Sequence, residues 1–182
     1  MPDNLTPEKR HRVMAAIHST STKPELKLRR ALWHVGFRYR TNAKYLPGSP
    51  DIVLPKYHTA IFVHGCFWHG HKGCSTSHLP DTNAGFWKAK ISRNQERDQE
   101  VWRQLEAKGW SVIIVWECEL KNKQFEGTTH RVVNEILLNG ETYCRRQEER
   151  VALRRQRQVE HKQQMERQEL LLAEIKKSYK TR

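Results

Sequence analysis

Three imidazoles, two thiols and two large aromatic rings fall within eleven residues, His64-Gly65-Cys66-Phe67-Trp68-His69-Gly70-His71-Lys72-Gly73-Cys74. Cys66, His71 and Cys74 are soft and borderline donors that suit zinc, and a tetrahedral site needs one more. His64 and His69 are then left for other chemistry. An imidazole that titrates near neutral pH can accept a proton from water or hold a phosphate oxygen. Phe67 and Trp68 stand on the same stretch. A loop stiffened by a metal places core residues badly but presents a wedge or stacking surface well.

An element must carry this stretch to the edge of a core. The apolar run Ala60-Ile61-Phe62-Val63 immediately before it reads as a buried strand, with a strand expected over residues 59–64. Asp51-Ile52-Val53-Leu54 follows the turn-rich Leu46-Pro47-Gly48-Ser49-Pro50 and reads as the preceding strand. In a hairpin, Asp51 at the start of one strand and His64 at the end of the next meet at one edge, a candidate metal or acid–base site. In isolation, an aspartate after Pro50 would pass for a turn residue. Ser111-Val112-Ile113-Ile114-Val115-Trp116 is continuous enough to be buried on both faces, and Cys118 lies just past its end, making it the natural fourth zinc ligand. Free thiols usually sit in apolar surroundings, so clustering in a polar, glycine-rich loop favours ligation. Cys144, at the start of a polar tail, is left out.

The remaining elements are helical. Residues 7–18 read as a short basic helix with Thr6 as N-cap and Pro7 in the first turn, and Met14 on its apolar face. A second helix begins around Pro24, carries Glu25 in its first turn and ends at Gly36. Phe37-Arg38-Tyr39-Arg40 alternates like a strand. Residues 84–108 form the long helix of the core, with Trp87, Ile91, Val101 and Leu105 on one side and Lys88, Lys90, Arg93 and Arg97 on its flank. Another helix is expected over 129–138. Residues 141–182 lack glycine and proline and carry 12 Lys/Arg against 7 Asp/Glu, a basic and helical tail. The reading is thus a domain over residues 1–140 and a basic helical extension over 141–182.

Composition narrows the function classes. A net charge of +13 over 182 residues favours a polyanionic partner such as nucleic acid. No run of about 18 apolar residues occurs, which excludes a membrane helix. The opening Met1-Pro2-Asp3-Asn4-Leu5-Thr6 lacks the apolar centre of a signal peptide. A cytoplasmic protein is expected, with cysteines as metal ligands or free thiols rather than disulfides.

The segments Leu46-Pro47-Gly48-Ser49-Pro50-Asp51, Ile61-Phe62-Val63-His64-Gly65-Cys66-Phe67-Trp68-His69, Phe86-Trp87-x2-Lys90-Ile91-x2-Asn94-x2-Arg97-Asp98 and Val115-Trp116-Glu117-Cys118 closely resemble the very-short-patch-repair DNA mismatch endonucleases. The resemblance covers roughly residues 5–138. It implies an α/β, restriction-endonuclease-like fold, a mixed central sheet flanked by helices with a structural zinc site. It implies a nickase that cuts 5′ to the thymine of a T·G mismatch, the product of 5-methylcytosine deamination, by Mg²⁺-dependent hydrolysis. Asp51 then corresponds to the carboxylate on Mg²⁺, and Val63 offers the metal its backbone carbonyl where the family has threonine. His69 is implied as the general base, His64 as its partner or a phosphate contact, and Glu25 as a water-mediated metal partner. Phe67, Trp68 and Trp87 match the aromatics that wedge beside the mismatch, with Met14 inserted from the other side. The zinc ligands are Cys66, His71, Cys74 and Cys118, but one extra residue after His71 leaves His78 as the alternative to Cys74.

Mismatched double-stranded DNA is the implied partner, with other mismatch-repair proteins besides; with no association pattern in the sequence a monomer is expected, nucleoid-associated when bound. Two competing readings are a restriction-type endonuclease that cuts matched sites and a zinc-stabilised DNA-binding module without catalysis. Three wedge aromatics argue against the first, and the set Asp51, His64 and His69 against the second.

Overall fold

The structure is a computed structural model that describes residue 12, residues 20–121 and residues 123–180, with side chains through Glu169. The helix expected over 7–18, Met14 with it, lies outside the described residues apart from Arg12. The described chain runs α1 (Lys23–His34), β1 (Arg40–Thr41), β2 (Ile52–Leu54), β3 (Thr59–His64), α2 (Ala84–Ala107), β4 (Ser111–Trp116) and α3 (Gln124–Lys180). It divides into two compact units, Met1–Gly140 and Glu141–Arg182. The first unit is mixed α/β.

The four strands form one sheet in the order β1-β2-β3-β4. β1 pairs antiparallel with β2, and β2 antiparallel with β3. β3 and β4 are parallel from Thr59↔Ser111 to His64↔Trp116. Parallel pairing needs a long crossover, which the His64 loop and α2 supply. Strand side chains alternate between faces, and the core divides accordingly. Ile52, Leu54, Ile61, Ile113 and Val115 pack with Leu28 and Leu32 of α1 and with Val132 and Ile136 of α3. Val53, Ala60 and Phe62 pack on the other face with Leu105, Val101 and Trp102 of α2. The central strands are buried on both sides, hence the continuous apolar runs.

Three expectations shift. The strand expected over 37–40 is reduced to Arg40–Thr41. Phe37 turns into the core, and the Tyr39 hydroxyl donates to the Arg29 carbonyl at 2.8 Å, so packing overrides alternation. Asp51 stands just before β2 rather than in it. The helix expected over 129–138 extends to Gln124–Lys180, since nothing in the sequence after residue 138 stops it.

Arg29 ties the lower half of this unit together. Its Nη2 donates to Glu25 at 3.1 Å, to Asn42 at 3.2 Å and to the Asp51 carbonyl at 2.9 Å. Both Arg29 and Glu25 are buried. Removing one partner of a buried ion pair strands the other charge, a cost of about 3–5 kcal/mol. Arg29→Leu is therefore expected to lower stability by about that amount in urea unfolding, far more than the loss of a surface ion pair.

Candidate active site and metal cluster

The parallel register sets the geometry. His64 and Trp116 end their strands side by side, so the segment after β3 and the turn after β4 emerge at one edge. The chain after His64 folds into tight turns, with the His69 N–H donating to Gly65 O at 3.2 Å and the His71 N–H to Cys66 O at 2.9 Å. Cys118 lies in the 3-10 turn Glu117–Leu120 directly after β4. The donor atoms of Cys66, His71, Cys74 and Cys118 all lie within 4.8 Å of one another, a group that could hold a metal ion. His71 Nδ1 and Cys118 Sγ are 3.4 Å apart. The His71 ring stacks on Trp116 at 4.1 Å with planes 2° apart, which fixes its direction. His78 follows the next 3-10 turn and is not in this group, nor is the exposed Cys144.

The chemistry of the donors fits a cation. Burial, and then the neighbouring Cys66 and Cys74, push the Cys118 thiol up to about 12. Hydrogen bonding to Thr76, 3.0 Å away, pulls Cys74 down to about 6. Three thiols crowded this closely cannot all ionise unless a cation neutralises them, and thiolates are the metal-binding form.

A second constellation lies on the β3 side. The Asp51 carboxylate accepts the Val63 N–H at 2.8 Å across the hairpin. Burial lifts this carboxyl from 3.8 to about 6; the Val63 bond and the charges of Arg29 and His69 only partly offset it, and Glu25 adds to it. Glu25 itself accepts from the Ser21 N–H at 2.8 Å, the Thr22 hydroxyl at 2.7 Å and Arg29. It braces the turn before α1 while standing close enough to act electrostatically on Asp51.

His64 is buried, and its ring stacks on His69 with centroids 3.7 Å apart and planes at 15°. Burial first, then the His69 charge, lowers its pKa to about 3, so it stays neutral. His69 Nδ1–H donates to Asp98 Oδ2 at 2.5 Å. Burial alone would raise the Asp98 carboxyl, but the bond from His69 and that ring's charge outweigh it and hold it below the usual range. The donor atoms of His64, His69 and Asp98 also fall within 4.8 Å of one another. Imidazole lone pairs lie in the ring plane, however, and two near-parallel stacked planes do not converge on one ion. The geometry is that of a base and its orienting carboxylate.

Asp98 escaped the sequence reading as a site residue. Its signal was present: Ile91, Asn94, Gln95, Asp98, Trp102 and Leu105 recur at three- and four-residue spacing on one face of α2. That face grips the loop. Asn94 donates to Trp68 O at 2.9 Å and Gln95 to His69 O at 3.1 Å. Gly70 permits the approach: it has φ +62°, and a Cβ there would fall 2.6 Å from Gln95 Nε2 and 2.8 Å from Ile91 Cγ2.

The structure also gathers the three aromatics. Phe67 meets Trp68 edge-on at 5.2 Å and Trp87 at 5.2 Å, while Trp68 and Trp87 are 5.9 Å apart. Phe86, 58% exposed, joins them against Trp87 at 5.2 Å. The sequence reading quoted Phe86 without giving it a role. All three predicted aromatics are only half-buried, at the surface beside the loop.

Among the described residues no helix is long and apolar enough to cross a membrane. Residues 2–75 match the model of the family described as DNA mismatch endonuclease Vsr. A type II nicking enzyme of Neisseria meningitidis serogroup A is 51% identical over 137 residues, 75% of this chain and 97% of that protein. A type II nicking enzyme of Xanthomonas oryzae is 46% identical over 122 residues, covering 67% of this chain and 89% of the relative. The DNA mismatch endonuclease Vsr of Escherichia coli K12 is 41% identical over 115 residues, 63% of this chain and 73% of the relative. With a metal-competent Cys/His cluster and an imidazole–carboxylate pair at one end of the sheet, the chain belongs to the Vsr family of DNA mismatch endonucleases, hydrolases that cut DNA.

Proposed function

We propose that the protein nicks one strand of duplex DNA 5′ to the thymine of a T·G mismatch, with Mg²⁺ at the catalytic position and Zn²⁺ in the Cys/His cluster. The observation that carries this reading is that the His69–Asp98 pair stands near the half-buried Asp51 carboxylate.

The residues fit the two ions differently. Asp51 supplies a hard carboxylate oxygen, the kind Mg²⁺ prefers. Within a strand, N–H and C=O of one residue leave the same edge, so the Val63 carbonyl faces the side where Asp51 meets its N–H. Asp51 and Val63 would hold Mg²⁺, which when bound supplies positive charge at the phosphate under attack. Cys66, His71, Cys74 and Cys118 suit tetrahedral Zn²⁺, closed to substrate and structural.

The chain's own groups then divide the reaction. Asp98 accepts only, so His69 carries its proton on Nδ1 and offers the Nε2 lone pair. Nε2 takes a proton from the attacking water as its oxygen bonds to phosphorus and the bond to the leaving sugar oxygen breaks. His64, held neutral by burial, can donate one N–H to a phosphate oxygen. Phe67, Trp68 and Trp87 enter the base stack, which opens most easily at a mismatch. The set is complete within one chain, which supports action as a monomer. The nicking named for the meningococcal relative supports single-strand cleavage over double-strand cutting.

Zinc should be measurable and structural. Elemental analysis of natively purified protein should find about one zinc per chain, and Cys118→Ser should lower both zinc content and melting temperature, because structural zinc is coupled to folding. Metal-free protein of undiminished stability would count against it.

Asp51→Asn should remove metal-dependent nicking yet preserve mismatch binding. It should also stabilise the Mg²⁺-free protein at pH 7. Folding lifts the Asp51 carboxyl from 3.8 to about 6, so the native state pays for ionising it. That cost is absent below pH 4, grows as pH rises through about 6 and stays constant above. Removing it should gain roughly 1–2 kcal/mol, allowing for partial exposure. His69→Ala should slow single-turnover nicking by roughly 10²–10⁴-fold.

Trp68→Ala is expected to act on recognition. Stacking is worth about 1–3 kcal/mol per base, so the T·G over T·A preference should shrink in equilibrium binding with Ca²⁺. Unaltered discrimination would remove Trp68 from the wedge.

A further inference from the structure

The basic unit Glu141–Arg182 contains none of the site residues named above, yet its charges are sorted. Arg146, Arg150, Arg154 and Arg157 stand at helical spacings of four, four and three on α3. At 3.6 residues per turn they share an arc of about 80°. His161, Gln164 and Gln168 continue the same arc toward the C-terminus. Glu141, Glu148, Glu149, Glu160, Glu166 and Glu169 all project outside it. All four arginines are exposed, and among the described residues none of them has a hydrogen bond or ion pair. Two of the pairs in this unit, Lys162 with Glu166 and Gln156 with Glu160, lie off the arc.

Like charges four residues apart repel along a helix. A helix whose function ended at solubility would relieve this by alternating the glutamates with the arginines on one face. Here the glutamates are collected elsewhere and the repulsion stands, which suits a face that meets a line of negative charge. The four helix positions span about 16 Å in rises of about 4.5–6 Å, a length over which one DNA strand presents about five phosphates at about 3.4 Å each. The arc holds Arg, Gln and His, all able to donate to phosphate oxygens. The aliphatic Val151 and Val159, by contrast, are exposed outside it.

We infer that the Arg146–Arg150–Arg154–Arg157 face of α3 is a second DNA-binding surface, gripping the phosphate backbone of duplex DNA without reading its sequence. The inference rests on the family's action on DNA and not on the T·G reading; a site that nicked a different mismatch would leave it intact.

The test uses the full chain and two variants of equal charge. One carries R146Q, R150Q, R154Q and R157Q; the control carries R145Q, R155Q, K162Q and R167Q, all off the arc. Glutamine is a good helix former, and circular dichroism checks that helix content is kept. A third variant with lysine at the four arc positions retains the charge. Binding to matched and T·G duplexes is followed by anisotropy from 50 to 200 mM salt. Each phosphate contact contributes about 0.9 to the log–log salt slope, so the arc variant should lose up to about 3–4 of slope. Its affinity should fall equally for both duplexes, the lysine variant should keep most of the slope, and the control should change far less. Equal losses in arc and control variants overturn the face assignment. An unchanged slope overturns the surface altogether. Loss confined to the T·G duplex overturns its sequence independence. Displacement of DNA by polyglutamate of equal charge, as effective as displacement by competitor duplex, overturns it in favour of an acidic protein partner.

Discussion

Parallel pairing of β3 with β4 is the constraint on which the rest depends. Strands that ran antiparallel would send Cys118 to the opposite end of the sheet from Cys66. Six registered pairs, from Thr59↔Ser111 to His64↔Trp116, bring both exits to one edge. The crossover that parallel pairing requires is where the protein keeps its chemistry: the His64 loop and α2 are that connection. Core burial on both sheet faces, with Ile61, Ile113 and Val115 on one side and Ala60 and Phe62 on the other, holds the register against slippage.

The loop after β3 is held from two sides. The Cys/His cluster pins its far end to the turn after β4, and α2 holds its middle through Asn94, Gln95 and Asp98. His69 therefore sits between two anchors, its ring sandwiched against His64 and its Nδ1 bound to a buried carboxylate. Phe67 and Trp68 belong to the same short segment. These aromatic rings and the His69 imidazole are thereby spaced by only one or two residues, so a shift in one moves the other. Such placement on a braced segment gives a site the rigidity that catalytic geometry demands.

Arg29 shows how the fold keeps a carboxylate available. A guanidinium beside Asp51 could have formed a bidentate pair with it and closed the site. Instead Arg29 donates to the Asp51 main-chain oxygen and spends its charge on Glu25. Among the described residues the Asp51 side chain keeps a single protein donor, the Val63 N–H, and desolvation lifts its pKa. A half-buried carboxylate with little protein compensation is destabilising by itself.

Much of this was open to reading from the sequence alone. Apolar runs over 60–63 and 111–116 are long enough to mark core strands, although β4 stands at the end of the sheet order, and donor types at 66, 71, 74 and 118 restrict the ligand chemistry whatever the fold. The helix over 84–108 announces itself by periodicity. Local pattern failed where packing decided: Phe37 and Tyr39 alternate like a strand yet are drawn into the core and onto Arg29. Three matters belonged to the tertiary structure. The direction of β4 relative to β3 leaves no trace in either strand's own sequence. Membership of Cys74 rather than His78 in the Cys/His group depends on how the loop turns, with backbone bonds from His71 to Cys66 and from Cys74 to His71. Asp98 is one acidic residue among several on a polar helix, and only docking of α2 onto the loop brings it to His69, because an interaction across 29 residues is set by packing and not by spacing.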